Sequence, residues 1–66
     1  MTVASNLDKL RCARRELALR LRVYPARIAA GAMTDAKAKH EIGTMEAIVA
    51  DYQRLVVDDA EKGRLL

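Results

Sequence analysis

Between Ala38 and Val56 the apolar residues Ala38, Ile42, Met45, Val49, Tyr52 and Val56 recur at spacings of 4, 3, 4, 3 and 4. At about 100° per residue this rhythm keeps all six on one stripe of an α-helix, and such a stripe must find something to pack against. The stretch before it offers a complementary line, Leu10, Ala13, Leu17, Leu21, Tyr24 and Ile28, at spacings of 3, 4, 4, 3 and 4. No strand-like alternation appears. With no Trp or Phe and two Tyr, any core is built from aliphatic residues and alanine, which suit close helix packing better than a sheet. The expected fold is therefore all-α.

The ends of the elements are marked. Ser5 followed by Asp8 reads as a helix N-cap with an acid in the first turn, which starts a first helix at Asn6 or Leu7. Its periodicity runs in phase through Pro25, so one kinked helix over about 6–30 is the preferred reading. A break at Tyr24, with Pro25 opening a new short helix, is the alternative. Gly31 suits a left-handed C-terminal cap, and Thr34 with Asp35 suits the start of a second helix over about 35–59. Two helices of similar length, roughly 37 Å each at 1.5 Å per residue, joined by the turn 31–34, form an antiparallel hairpin. Gly43 interrupts the second helix, where close approach of a neighbouring backbone would account for it. Gly63 is expected to stop any continuation, which leaves a loose tail over 60–66.

A second apolar line, Ala47, Ile48 and Leu55, lies beside the first stripe of the later helix. One partner helix cannot cover both lines, which points to a homodimer of hairpins forming a four-helix bundle. The expected core and dimer residues are Leu17, Leu21, Ile28, Ile42, Met45, Ile48, Val49, Tyr52, Leu55 and Val56. Self-association is also what a 66-residue chain of this kind calls for, because domains this small usually need disulfides, a metal or a partner copy. Cys12 is the single cysteine and His40 the single histidine, so neither an intrachain bridge nor a structural zinc set can form.

Charge is divided along the chain. Residues 1–33 carry seven Lys/Arg against two acids, a net +5, and residues 34–66 carry five against seven, a net −2. The arginines Arg11, Arg14, Arg15, Arg20, Arg22 and Arg27 invite a phosphate-binding reading. The simpler reading is that they solvate the first helix and pair with Glu16 and the acids of the second. The second long helix is acidic where a groove-reading helix should be basic or polar, so nucleic acid ranks behind protein as a partner.

Catalytic chemistry finds no constellation. His40 and Glu41 are neighbours in sequence and point about 100° apart on a helix, so they cannot form a base pair of the general-base type. Cys12, in a basic stretch, reads as a small packed residue, and Asp58, Asp59 and Glu61 as a fraying or partner-contacting end rather than metal ligands. No cofactor is expected, and no enzyme. Tyr24, beside Pro25 and flanked by Arg20, Arg22 and Arg27, is the candidate for partner binding, since Tyr with Arg is the mixture enriched at interface hot spots. Met1 to Leu10 holds no apolar run of signal length and no window reaches a membrane span, so a soluble, cytoplasmic protein is expected.

Two segments carry a resemblance, RVYPARIAAG at Arg22 to Gly31 and KHEIGTMEAIVADY at Lys39 to Tyr52, within a similarity over about 15–52. The chain resembles a group of small helical proteins of temperate phages and prophages. The resemblance implies a phage setting, inside a bacterial host cell. It also implies a function of the anti-quorum-sensing type, in which a small dimeric helical phage protein binds a LuxR-type transcription regulator of the host and the assembly ATPase of type IV pili. On that basis the expected role is a non-catalytic inhibitor of a host protein. An anti-CRISPR role and a small nucleic-acid-associated regulator are the alternatives.

Overall fold

The computed structural model describes residues 3–64. They form two helices, α1 over Asn6–Ala29 and α2 over Asp35–Arg64, packed as an antiparallel hairpin, with no strand among the described residues. No helix among them is long and apolar enough to cross a membrane.

The start of each helix is held by one hydroxyl. The Ser5 Oγ accepts from the Asp8 N–H at 3.1 Å, and the Thr34 Oγ1 accepts from the Lys37 N–H at 3.1 Å. Each satisfies one of the donors that a helix N-terminus leaves unpaired. At the far end of α1, Gly31 takes φ +74°. Its N–H donates to the Ile28 carbonyl at 3.0 Å, and the Ala32 N–H donates to the Arg27 carbonyl at 2.9 Å. This pair of reversed bonds is a Schellman motif. It needs the left-handed residue that glycine adopts without a Cβ penalty.

Pro25 lies inside α1, which runs unbroken past it to Ala29, so the alternative with a break at Tyr24 does not hold. α2 differs more from expectation, since it continues through Gly63 to Arg64. One glycine costs a helix about 1 kcal/mol, too little to end it where Glu61 and Lys62 favour the helical state. The Asn6 Nδ2 donates to Asp59 Oδ2 at 3.0 Å, so the last turn of α2 projects past the beginning of α1. The two helices are therefore unequal, at 24 and 30 residues.

The core is thin. Among the described residues only Leu10, Ala13 and Ala38 are buried, at 3%, 8% and 2% exposure. The two alanines let the helices approach closely. Leu17, Tyr24, Ile28, Ile42, Met45, Ile48, Val49, Tyr52 and Val56 are half-buried around them. Leu21, expected on the seam, is 53% exposed, and Arg20 takes the inward position instead. The observed α1 line is Leu10, Ala13, Leu17, Arg20 and Tyr24, a 3-4-3-4 rhythm that matches the 4-3-4-3 rhythm of α2 and rotates Leu21 out of register.

The shape follows from so narrow a contact. The hairpin measures 54 × 24 × 16 Å with a radius of gyration of 15.5 Å, against about 11 Å for a compact chain of this length. It exposes 5167 Å², where a compact protein of 7.3 kDa exposes about 4,200 Å² by the scaling of area with mass.

Gly43 has no close neighbour; a Cβ built there meets nothing within 4 Å. The close approach expected at Gly43 is absent within the chain. Gly43→Ala is predicted to stabilise the fold by about 1 kcal/mol through helix propensity. Ala38→Leu, at the tightest point of the seam, is predicted to cost about 1–3 kcal/mol through overpacking. Paired thermal melts of the two variants check both signs.

Candidate functional site

Three surfaces compete for function, and the first is a polar cluster set into the waist of the hairpin. Arg20 is drawn inward, with its side chain 18% exposed. Its Nε donates to Glu16 Oε1 at 3.0 Å, and one Nη donates to the Glu41 backbone carbonyl at 2.8 Å and lies 3.7 Å from the Glu41 carboxylate. Lys37 Nζ completes the cluster, 3.0 Å from Glu41 Oε1. Arg20 was read from sequence as a partner-binding residue; its guanidinium is engaged within the chain. The hydrogen bond and charge of Lys37 hold the Glu41 carboxyl below its ordinary value of 4.5; partial burial opposes them, and the charges of Arg20 and His40 add to the lowering. The cluster ties the helices together and presents no nucleophile or open acid–base pair.

The second surface is the half-covered apolar seam. On one face of the hairpin Lys9, Cys12, Ala13, Glu16, Met45, Ile48 and Tyr52 line a shallow open groove. Lys9 Nζ sits 5.7 Å from the centre of the Tyr52 ring, a cation–π contact worth about 0.5–1 kcal/mol at an exposed site. Cys12 is a free, exposed thiol at this rim rather than a packed residue. Leu19 and Leu55 extend this side at 43% and 42% exposure, while Val57, 50% exposed, falls on the other side of α2 at 100° per residue. Ala47 is exposed and Ile48 half-buried, so the second apolar line of α2 stays uncovered by α1.

The third surface is basic. Among the described residues Arg20 is the one α1 arginine with an ion pair; Arg54 bonds Asp51, and Lys37 and Lys39 pair with Glu41 and Asp35 within α2. Arg11, Arg14, Arg15, Arg22 and Arg27 are exposed and have no ion pair to another described residue. The expected pairing with α2 acids fails because Arg11, Arg15 and Arg22 fall within about 40° of one another on the side of α1 opposite its seam, at 100° per residue. The acids of α2 lie behind the helix from there. Arg22 and Arg27 flank the half-buried Tyr24, so that trio stands together near the turn as the sequence places it.

His40 and the acids Asp58 and Glu61 are exposed. No group of three or more His, Cys, Asp or Glu side chains among the described residues is placed to hold a metal ion. No protein family, curated protein or solved structure matches this chain. Its class is set by geometry alone, a small helical hairpin whose seam faces solvent.

The lowered Glu41 carboxyl makes a pH prediction. A group with a depressed folded value contributes stability that is complete above its unfolded value and drains away as pH falls through the folded one. Unfolding midpoints should therefore hold steady down to about pH 5 and fall below about 4.5, near the unfolded glutamate value. Glu41→Gln should be less stable at neutral pH and show a shallower acid loss, as read by denaturant titration across the pH range.

Proposed function

We propose that this chain is a non-catalytic protein-binding module that works as a homodimer, two hairpins packed as a four-helix bundle. In the phage setting its sequence resembles, it inhibits a host protein, in the manner of the anti-quorum-sensing proteins that engage a LuxR-type regulator and the type IV pilus assembly ATPase. The carrying observation is the uncovered seam. The hairpin exposes 5167 Å², about 1,000 Å² more than a compact chain of its mass. That excess is close to the roughly 800 Å² that each partner buries in a standard interface.

A second copy is the natural occupant of the groove. Cys12, Met45, Ile48, Tyr52 and Leu55 supply the apolar area, and a twofold dimer sets the same patch against itself, so no complementary surface on another protein is needed. The +5 of the first half and −2 of the second favour a packing in which α1 of one copy neighbours α2 of the other. Host binding is assigned to the other end of α1, where a bend at Pro25 presents Tyr24 with Arg22 and Arg27 beside the turn.

Light scattering on the purified chain at micromolar concentration should give twice 7.3 kDa. Ile48→Asp combined with Leu55→Asp should yield a monomer with reduced helicity, whereas a wild-type chain that is folded and monomeric contradicts the proposal. Tyr24→Ala with Arg22→Ala and Arg27→Ala should keep the dimer mass and weaken binding to a purified LuxR-type regulator at least tenfold, on the scale of a lost hot spot of about 2 kcal/mol. Unchanged affinity would remove the turn end as the host-binding surface.

A further inference from the structure

We propose that the arginine row on the outer side of α1, which shares Arg22 with the turn-end surface, binds the phosphate backbone of duplex nucleic acid, contacted without regard to base sequence. Arg11, Arg15 and Arg22, with Ala18 between them, occupy positions i, i+4, i+7 and i+11, a straight line along an unbroken helix. Arg14 stands at its edge. All four arginines are exposed, and none has an ion pair or a side-chain hydrogen bond to another described residue.

A guanidinium left free of carboxylates keeps its fork of donors available, and that fork matches a phosphate bidentately. The row spans about 16 Å at 1.5 Å per residue, the axial length of about five phosphates on one strand of a duplex. A structural role would draw the arginines toward the acids of α2, as it does Arg20. The row instead faces away from them.

The alternatives fit less well. Single strands are gripped through bases stacked on exposed aromatic rings, and the only aromatic residues of the chain, Tyr24 and Tyr52, are half-buried. A membrane-surface helix needs a continuous apolar face beside its cations. Here exposed leucines lie at the margins of the row, Leu7 and Leu21 on one side and Leu19 on the other, with Ala18 in the row itself, so no continuous apolar face runs beside the cations. An acidic protein would be met by a patch with apolar anchors at its centre, where this row has alanine. The surface lies opposite α2 and does not use the groove assigned to dimerisation.

Fluorescence anisotropy of a labelled random-sequence duplex, titrated with the intact protein between about 20 and 200 mM salt, tests this. Binding should weaken steeply with salt, with a log–log slope near −3 for one row and up to about −6 for two rows in a dimer. The variant Arg11→Ala, Arg15→Ala, Arg22→Ala should bind at least tenfold more weakly at low salt and lose about one unit of slope per arginine in each row engaged. The corresponding triple lysine variant should keep the slope, and Lys37→Ala with Lys39→Ala should change neither quantity. Circular dichroism should show all variants equally helical. No salt-dependent binding by the wild type, a triple alanine variant that binds as the wild type does, or a preference for anionic phosphatidylglycerol vesicles over the duplex would each overturn the proposal. The mass measurement does not depend on this result, and the LuxR-regulator measurement shares only Arg22 with it. Arg11→Ala with Arg15→Ala alone, which should weaken duplex binding and leave regulator binding unchanged, therefore tells the two apart.

Discussion

The seam between the two helices, buried at Leu10 and Ala13 on α1 and at Ala38 on α2, is what the rest of the molecule depends on. These are the only buried side chains among the described residues, and between their levels Arg20 reaches across to the Glu41 carbonyl. Two helices meet along one stripe each and no further. Beside the stripe, Leu19, Leu21, Leu55 and Val57 are left at 42–53% exposure. A hairpin of this composition leaves apolar area that the proposed second copy would cover.

The local signals were legible because each is decided within a few residues. Ser5, Gly31 and Thr34 do what their positions imply, since caps depend on nearby backbone donors and on a backbone angle, not on the tertiary fold. The seam of α2 was legible from its period. The seam of α1 was not, because Arg20 and Leu21 are adjacent and hydropathy favours Leu21, while the phase set by Leu10, Ala13 and Leu17 favours Arg20. Packing geometry won, and Glu16 and Glu41 supplied the partners that make an inward arginine tolerable. The length of α2 was missed for a similar reason, since Gly63 weakens a helix without ending it.

The arginines show where the sequence-level view of the surface ran out. Charge balance suggested that α1 and α2 neutralise each other, yet balance says nothing of direction. Arg11, Arg15 and Arg22 point away from the acids, and one arginine of six in α1 is paired among the described residues. The molecule thus presents an apolar groove beside the seam, a Tyr24 and arginine end near the turn, and a basic row behind α1 that shares Arg22 with that end. Cys12 was likewise expected to pack and stands at the groove rim, where a second copy would cover it.

The claim that the hairpin is completed by a second copy is tested most directly by thermal unfolding over a wide range of protein concentration. If folding and dimerisation are one process, the midpoint rises steadily with concentration, because association stabilises the native state by mass action. A midpoint independent of concentration, with a cooperative transition and the mass of a single chain throughout, would show that the thin core of Leu10, Ala13 and Ala38 suffices and would contradict the account.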